Sequence, residues 1–504
     1  MSLISVKNLT FSYEDNFDNI FENVSFAIDS DWKVGFIGRN GKGKTTFLNL
    51  LLGKYEYEGV ISSNEIFDYF PYKISDVQKT LPAAEFVEDI KTGTEIWRVY
   101  AELDKLDADA DIMYRPFNTL SFGERTKVLL AVLFSGDNDF LLIDEPTNHL
   151  DAQSRESVKK YLSGKKGFIL VSHDRDLLDA CVDHVLVLNR SSIEVQVGNF
   201  SSWWENKKKK DAFSLAENEK HLKEINKLNE AAKQTKRWAD KNESTKIGFD
   251  PLKEPDRFLD TRAYIGAKTK KMQSRVKQME KRIQAEIEEK EGLLNDIENV
   301  VDLKLNPLKF HKEVLVSGYH YGLKYADAKG YLFENKTFEI RQGDRLLIRG
   351  SNGCGKTSLI KAILGNKDGM VEKGDLLVAS GLEISYINQD THHLKGSIRS
   401  FCEDKGFDEG LFCSILRQLD LGSGQFSKNI EDYSEGQKKK VLVASSLLTP
   451  AHLYIWDEPL NYIDVFSRMQ IEELILRYCP TMLLVEHDVR FQEKIATKVL
   501  CPED

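Results

Sequence analysis

The chain carries the stretch Gly38-Arg39-Asn40-Gly41-Lys42-Gly43-Lys44-Thr45 and, at an offset of 312 residues, the stretch Gly350-Ser351-Asn352-Gly353-Cys354-Gly355-Lys356-Thr357. An apolar run precedes each stretch, and a helical pattern beginning with Thr46 or Ser358 follows it. Strand, loop and helix in this order favour phosphate binding, because glycines let backbone N–H groups face the phosphate and the helix dipole attracts negative charge. The pattern therefore predicts two ATP sites, in which the lysines contact phosphate and the threonines Thr45 and Thr357 hold Mg²⁺.

Three further motifs repeat in the same order. Ser121-Phe-Gly-Glu returns as Ser434-Glu-Gly-Gln and Asp144-Glu-Pro-Thr-Asn returns as Asp457-Glu-Pro-Leu-Asn, both at an offset of 313 residues. Ser172-His-Asp returns as Glu486-His-Asp at an offset of 314 residues. A fixed order at nearly one offset indicates a duplicated domain, and the alternation of apolar strands with helical patterns predicts the α/β class for each copy.

Acidic residues and histidines end apolar runs in both copies. We expect Asp144 and Asp457 to bind Mg²⁺ at the ends of buried strands. The residues that follow them, Glu145 and Glu458, are placed to polarise the attacking water as catalytic bases. His173 and His487 each close another apolar run, where they can hold the γ-phosphate or the water.

Composition excludes several classes of protein. The 504 residues are 41% hydrophobic, and their longest apolar runs are far shorter than the roughly 18 residues of a membrane span. The amino terminus lacks the basic and apolar regions of a secretory signal, so we expect a cytoplasmic protein with no membrane partner. The six cysteines are scattered without metal-ligand spacing, which argues against zinc and iron–sulfur sites. The net charge of −10 conceals a basic segment, since residues 201–282 contain 22 Lys/Arg and 13 Asp/Glu.

The basic segment predicts two long helices. Neither Gly nor Pro occurs between Asn199 and Ile247, and apolar residues recur every three or four positions from Ala267 to Glu291. The intervening stretch contains Pro251 and Pro255 and cannot be helical throughout. We therefore predict a first domain at residues 1–203, an antiparallel helical hairpin at 204–300 with its tip at about 246–264, and a second domain at 301–504.

The motifs resemble those of ATP-binding-cassette domains. Leu120-Ser-Phe-Gly-Glu and Tyr433-Ser-Glu-Gly-Gln resemble the family signature, which in this family contacts the γ-phosphate of the nucleotide held by the opposite cassette. The resemblance implies two composite sites and intramolecular closure of a monomer, with Ser434 and Gly436 completing the first site and Ser121 and Gly123 the second.

The same resemblance implies further ligands, and this sequence differs from the family pattern at two places. It assigns Gln389 to ATP and Mg²⁺, whereas the first half has Tyr72 at that position, and the second signature has Tyr433 and Glu435 where Leu and Gly are usual. The two sites are therefore expected to differ in hydrolysis rate. Tyr13 lies where the family stacks an aromatic ring on adenine, while the second half offers three tyrosines, Tyr319, Tyr321 and Tyr325.

Over essentially the whole chain, the organisation resembles the F-subfamily of ATP-binding-cassette proteins, which act on ribosomes. Housekeeping members carry an arm before the first signature, but Leu120 follows Tyr72 by only 48 positions, and Tyr433 follows Gln389 by 44 positions. The missing arm and the run from Tyr264 to Met272 resemble the Lsa-type antibiotic-resistance branch.

That branch implies a bacterial partner and a mode of action. The ATP-bound protein enters the ribosomal E site, contacts P-site tRNA and large-subunit rRNA near the peptidyl-transferase centre, displaces drugs there and leaves after hydrolysis. The drugs are of the lincosamide, streptogramin A or pleuromutilin type. Aromatic and arginine side chains of the tip are the candidates for contact at the drug site: Phe249, Arg257, Phe258, Arg262 and Tyr264.

Two alternatives remain open from the sequence. A housekeeping translation factor that relieves stalled ribosomes is disfavoured only by the missing arm and the long tip. A twin ATPase of an importer is disfavoured by the long hairpin, because such chains join their cassettes through short linkers.

Overall fold

The computed structural model describes residues 2–13, 19–39, 42–136, 139–148, 150–189, 192–244, 274, 277–279, 281–283, 304–328, 330–351, 353–419, 421–461 and 463–503. The chain divides into two compact units. One comprises Met1–Trp203 together with Val301–Asp504, and the other comprises Trp204–Val300.

The first half is built from strands and helices in alternation. Its strands are β1 (Leu3–Phe11), β2 (Phe21–Asp29), β3 (Lys33–Gly38), β4 (Glu58–Ser62), β5 (Ile66–Phe70), β6 (Asp139–Asp144), β7 (Phe168–Val171), β8 (His184–Leu188) and β9 (Ile193–Val197). Its helices are α1 (Lys44–Leu51), α2 (Asp76–Lys79), α3 (Ala83–Ile90), α4 (Ile96–Lys105), α5 (Phe122–Leu133), α6 (Ala152–Ser163) and α7 (Arg175–Cys181).

These strands form two sheets. The larger has the order β5-β6-β7-β3-β8-β9 and is parallel except for β9, while β2, β1 and β4 form an antiparallel sheet. Strands β3, β6 and β7 are adjacent, so the residues that follow them lie along one edge, where α/β sheets bind ligands. This topology brings together the phosphate loop after β3, the carboxylates at the end of β6 and the histidine after β7.

Helix α1 is anchored between the two sheets by Phe47. Its ring is fully buried and makes edge contacts with Phe21, at 6.0 Å between centroids, and with Phe36, at 5.4 Å. Such a contact fixes the start of α1 and therefore the phosphate loop. Truncating a buried phenylalanine to alanine costs about 3–5 kcal/mol, so Phe47 contributes strongly to the stability of this half.

The second half repeats this plan. Its strands are β10 (Val314–Tyr325), β11 (Phe333–Arg341), β12 (Arg345–Ile348), β13 (Met370–Val378), β14 (Ile384–Ile387), β15 (Leu453–Asp457), β16 (Met482–Val485) and β17 (Lys498–Leu500). Its helices are α9 (Lys356–Ile363), α10 (Ile398–Lys405), α11 (Glu409–Gln418), α12 (Glu435–Leu448), α13 (Val465–Tyr478) and α14 (Val489–Ile495). A parallel sheet has the order β14-β15-β16-β12-β17, and β11, β10 and β13 form an antiparallel sheet. The predicted duplicated α/β architecture is confirmed.

The segment between the halves begins with one long helix, α8 (Phe200–Ser244). Residues 274, 277–279 and 281–283 are also helical, and Ile225 and Ile283 are buried in one small cluster against which Leu228 packs. The antiparallel hairpin stays a prediction, because most of its second helix and all of its tip lie outside the described residues. Within the described part of the chain, no helix is long and apolar enough to span a membrane.

Candidate functional site

The first phosphate loop joins β3 to α1 through a glycine that no other residue can replace without strain. Gly43 has a φ of 107°, and a Cβ atom added to it would lie 2.5 Å from the Ile20 side chain. The buried Lys44 donates from Nζ to the carbonyl oxygens of Gly38, at 2.6 Å, and of Arg39, at 3.2 Å. The carbonyls of Gly38 and Arg39 therefore hold the ammonium at the start of the loop; Asn40 and Gly41 lie outside the described residues.

The second phosphate loop has the same geometry. Gly355 has a φ of 96°, and Lys356 donates from Nζ to the carbonyl oxygens of Gly350 and Ser351, both at 2.9 Å. Cys354 is buried, and burial raises the pKa of its thiol. Asn352 lies outside the described residues.

A threonine and an aspartate meet at each site where Mg²⁺ is expected. Thr45 donates from Oγ1 to Oδ2 of Asp144 at 3.1 Å, and Thr357 donates to Oδ2 of Asp457 at 3.0 Å. Oδ1 of Asp457 is buried and has no hydrogen-bond partner among the described residues. Burial raises the pKa of Asp457 to about 6. A buried carboxylate oxygen without a donor, beside a hydroxyl, fits the oxygen ligands that Mg²⁺ prefers.

The two glutamates share an unusual backbone conformation. Glu145 has a φ of 51° and Glu458 a φ of 50°, in the left-handed region that is strained for residues other than glycine. Each donates its N–H to the end of the neighbouring strand, to the carbonyls of Val171 and Val485 respectively, both at 2.9 Å. The conformation turns each side chain toward a histidine.

Those histidines lie at matching distances but in different surroundings. Nε2 of His173 lies 3.3 Å from Oε1 of Glu145, and Nε2 of His487 lies 3.3 Å from Oε1 of Glu458. Glu458 also accepts from Gln389 Nε2 at 2.9 Å and from Asn461 Nδ2 at 2.8 Å.

The pKa values of the two glutamates shift in opposite directions. Burial raises the pKa of Glu145, and the charge of Asp144 adds to the effect. Burial also opposes ionisation of Glu458, but the hydrogen bond and charge of His487, together with the charges of Lys356 and Lys439, outweigh it and lower the pKa. The two sites are therefore chemically unequal.

Two tyrosines occupy equivalent positions beside the phosphate loops. The hydroxyl of Tyr13 lies 2.9 Å from Thr46 Oγ1, and that of Tyr325 lies 3.0 Å from Ser358 Oγ. Both side chains are partly exposed at 38%. Among the three tyrosines left open by the sequence, Tyr325 is therefore the counterpart of Tyr13, and both rings are accessible for stacking on a base.

Each signature serine caps the helix that follows it. Ser121 accepts from the N–H of Glu124 at the start of α5, and Ser434 accepts from the N–H of Gln437 at the start of α12, with reciprocal side-chain bonds in both cases. These capping boxes hold the serine hydroxyls at helix amino termini, where the dipole favours an anion.

The unusual residues of the second signature have structural partners. Tyr433 is buried and donates from its hydroxyl to the carbonyl of Gln425 at 2.9 Å. Glu435 accepts from Thr391 Oγ1 at 2.7 Å. Glu435 also lines the cavity described next.

One cavity of about 550 Å³ lies between the halves, a volume within the roughly 300–1,000 Å³ range of ligand sites. From the first half it is lined by Lys42, Lys44, Thr45, Asp144, Glu145, Asn148, Val171 and His173. From the second half it is lined by Gly422, Gln425, Ser434, Glu435, Gly436, Gln437 and Lys440. The structure therefore brings the first phosphate loop and the second signature together.

The second phosphate loop lies at a much smaller cavity of about 20 Å³. Gly350, Lys356 and His487 line it together with Ala152 of the first half. Ser121 and Gly123 are not among its described lining residues. A Cβ atom added to Gly123 would lie 2.4 Å from Ser154 Oγ, so this signature is packed closely against the start of α6.

Two arginines that the sequence reasoning did not single out connect the halves. Arg155 donates from Nη1 to the carbonyl of His487 at 3.5 Å, and Arg468 donates to the carbonyl of His173 at 3.3 Å. The two arginines recur at the same offset of 313 residues as the carboxylate motif. This repetition is the signal that could have identified them. The tip residues Phe249, Arg257, Phe258, Arg262 and Tyr264 lie outside the described residues.

Comparison with known proteins agrees with this geometry. Residues 21–148 and 333–461 match the family described as ABC transporter. The ribosome protection protein VmlR of Bacillus subtilis is 28% identical over 99% of this chain and 86% of its own length, which confirms the resemblance to ribosome protection proteins of the F-subfamily. The putative ATP-binding protein YdiF of Bacillus subtilis is 26% identical over 99% of this chain and 80% of its own length.

Among solved structures, the fold is similar to that of the archaeal ribosome recycling factor aABCE1, crystallised in complex with the ribosomal stalk protein aP1. The TM-score is 0.60 and the identity 17%, over 98% of this chain and 87% of that chain. At this identity the likeness concerns the fold alone. Together with the two phosphate loops, the family match shows that the chain belongs to the ABC transporter family and is an ATP-binding ATPase with two cassettes.

Proposed function

We propose that this ATPase protects bacterial ribosomes from antibiotics that bind the peptidyl-transferase centre. In this proposal the ATP-bound protein enters the E site of a cytoplasmic ribosome, its linker tip displaces a lincosamide, streptogramin A or pleuromutilin, and ATP hydrolysis releases the protein. The similarity to a ribosome protection protein over 99% of this chain supports the ribosome as partner.

The observation that carries the ATP-dependent part is the shared cavity of about 550 Å³. Lys44 lies at one wall and Ser434 and Gly436 at the other, so a nucleotide held there would be contacted by both halves. Donors aimed at the γ-phosphate from the opposite cassette would make closure depend on ATP. Loss of that phosphate would remove those contacts and allow the halves to separate.

The roles of the catalytic side chains follow from their geometry. Thr45 with Asp144, and Thr357 with Asp457, would hold Mg²⁺, which when bound neutralises phosphate charge. Glu145 and Glu458 would accept a proton from the attacking water, while His173 and His487, each 3.3 Å away, would orient that water or the glutamate.

The linker supplies charge suited to RNA. Helix α8 contains 11 Lys/Arg and 8 Asp/Glu, with four consecutive lysines at Lys207–Lys210 near its start. Lysines of this kind neutralise phosphates of rRNA or tRNA and set affinity rather than sequence specificity. Contact with the drug site is assigned to the tip because its aromatic and arginine residues can stack on unpaired bases.

The housekeeping translation factor remains the second candidate, and a susceptibility panel separates the two. A sensitive host expressing the protein is tested against lincosamides, streptogramins A, pleuromutilins and phenicols. Ribosome protection predicts a raised inhibitory concentration for at least one of the first three classes. An unchanged panel, together with relief of stalled translation in the absence of drug, would instead favour the housekeeping role.

A double variant tests whether release from the ribosome depends on ATP hydrolysis by the two glutamates. Glu145→Gln with Glu458→Gln should retain ATP binding, lose turnover by about 10²–10⁴-fold, and co-sediment with ribosomes when ATP is present. The control, Glu22→Gln with Glu473→Gln, changes two exposed glutamates and should behave as the wild type. Normal turnover in the first variant would contradict the role of both glutamates.

A further inference from the structure

The tyrosine Tyr69 contacts the aspartate expected to hold Mg²⁺ at the first site. It lies in β5, opposite Leu142 of β6, two residues before the end of that strand at Asp144. Its hydroxyl donates to Oδ2 of Asp144 at 3.1 Å, and the same oxygen accepts from Thr45 Oγ1 at 3.1 Å. One carboxylate oxygen therefore receives two hydroxyl donors, one of them from outside the motifs of the site.

The ring of Tyr69 is held in place from two sides. It packs against the core between the two sheets of the first half, and the ammonium of Lys54 lies 5.3 Å from its centroid. The hydroxyl is therefore presented to Asp144 from a fixed support rather than from a mobile side chain.

The position usually occupied by glutamine takes no part in this contact. Tyr72, at that position, donates to Oδ2 of Asp68 at 2.5 Å, and Asp68 also lies 2.9 Å from Lys91 Nζ. In the second cassette, by contrast, Gln389 donates to the catalytic Glu458 at 2.9 Å. In the first cassette the polar contact from this region is made by Tyr69 and reaches Asp144, whereas in the second it is made by Gln389 and reaches Glu458.

The second cassette contains an internal control for this arrangement. Tyr386 pairs with Ile455, two residues before Asp457, just as Tyr69 pairs with Leu142 two residues before Asp144. The Tyr386 hydroxyl donates to Oδ1 of Asn388 at 3.2 Å. The same residue type at the same register therefore has a different partner in the two cassettes.

We propose that Tyr69 is a positioning residue of the first site, which fixes the carboxylate of Asp144 for binding of Mg²⁺ with ATP. The Tyr69 hydroxyl would hold one rotamer of Asp144, in which Oδ2 lies beside the Thr45 hydroxyl, so that these two Mg²⁺ ligands need not be ordered when the metal and nucleotide bind. The inference concerns the ATPase alone, and its test uses purified protein without ribosomes or drugs. Its failure would therefore leave the proposed role on the ribosome untouched.

The test compares Tyr69→Phe with Tyr386→Phe in a Glu458→Gln background, where turnover arises from the first site. The readout is the Mg²⁺ concentration at half-maximal photolabelling, by an azido-ATP, of the peptide that contains Lys44, with kcat and KM measured in parallel. Tyr69→Phe should raise the Mg²⁺ midpoint about tenfold, as expected for loss of one hydrogen bond to a charged group. Tyr386→Phe should leave it within about twofold of the parent.

A second parent variant, Asp144→Asn, tests whether Tyr69 acts through the aspartate. If Tyr69 acts through the aspartate, Tyr69→Phe should cause no further shift of the Mg²⁺ midpoint once Asp144→Asn is present. An unchanged midpoint in the single variant would overturn the proposal. So would equal shifts for Tyr69→Phe and Tyr386→Phe, or a shift that persists fully in the Asp144→Asn background, since each of these outcomes indicates a structural effect only.

Discussion

Arg468 of the second cassette donates a hydrogen bond from Nη1 to the backbone carbonyl of His173 in the first cassette, at 3.3 Å. The same nitrogen lies 3.3 Å from Oδ2 of Asp488, and Nε donates to the carbonyl of Ile463 at 2.9 Å. His173 lines the large cavity, so a residue of one cassette supports a histidine of the candidate site in the other. Closure of the cassettes and the geometry of the first site are therefore coupled through one guanidinium group.

Arg468→Lys should impair hydrolysis at the first site. Lysine keeps the charge beside Asp488, but all its donors lie on one nitrogen, whereas Arg468 uses Nε for Ile463 and Nη1 for His173. We therefore expect the contact with His173 to be lost. We expect kcat to fall about tenfold in a Glu458→Gln background, because one charged hydrogen bond that orients a catalytic group is removed. Arg155→Lys is the control, because Arg155 is the equivalent residue of the first cassette and contacts His487 of the second. Equal losses for both variants in that background would contradict the assignment of Arg468 to the first site.

Ser434 should control ATP binding at the phosphate loop of Lys44, some 390 residues earlier in the sequence. Asp and Asn both preserve the helix cap, but only Ser434→Asp places a negative charge at the cavity wall facing the phosphates. We expect Ser434→Asp to weaken ATP binding at the first site at least about tenfold, and Ser434→Asn by only a few-fold. Ser434→Arg should block the site by its size.

Site-resolved photolabelling measures this effect. An azido-ATP that labels the peptide containing Lys44 should lose that label in the Ser434→Asp and Ser434→Arg variants and keep it in Ser434→Asn. Full labelling of the Lys44 peptide in Ser434→Asp would show that the second signature does not contact the nucleotide of the first site.

Sequence patterns predicted the parts of the site that local chemistry dictates. The glycines of the phosphate loop and the carboxylates at strand ends were predictable, because each requires a particular residue type at a fixed spacing. Tyr69 was not predictable, since its partner Asp144 depends on the pairing of β5 with β6. Nor could the sequence choose Tyr325 among three tyrosines, because that choice depends on how β10 passes the start of α9.

Sequence patterns could not predict the contacts between cassettes for a similar reason. Arg468 faces His173 across an interface that no local spacing encodes. The unequal surroundings of Glu145 and Glu458 also arise from such packing, although the missing glutamine at Tyr72 had indicated that the sites would differ.

Glu102 should stabilise the first cassette in a pH-dependent way. This buried carboxylate accepts from Tyr161 at 2.6 Å and from Lys105 at 2.8 Å, and it also pairs with Lys165. Burial alone would raise its pKa, but these hydrogen bonds outweigh burial and lower it. Glu102→Gln should therefore destabilise the protein by about 1–3 kcal/mol near neutral pH and lower the melting temperature by several degrees.

The sign of the pH dependence follows from the direction of that shift. Because the folded-state pKa is lower than the unfolded one, the stabilisation is complete above the unfolded value and is lost as pH falls through the folded value. The melting difference between wild type and Glu102→Gln should thus be constant from pH 6 to 8 and shrink below about pH 4. Glu88→Gln, at an exposed position of α3, should show no difference at any pH. A melting difference for Glu102→Gln that grows as pH falls would refute this account.

The tip residue Phe258 should decide drug protection without affecting the ATPase. Aromatic rings stack on unpaired bases, a contact worth about 1–3 kcal/mol, so Phe258→Ala or Phe249→Ala should abolish or narrow resistance. ATP turnover and ATP-dependent ribosome binding should remain near wild type, because the cassettes and the lysines of α8 are unchanged. Asp256→Ala is the matched control, since an acidic side chain neither stacks on bases nor binds phosphate. If every alanine variant of the tip protects the host fully, or loses protection only where the protein fails to fold, the tip is structural and drug displacement must arise elsewhere in the chain.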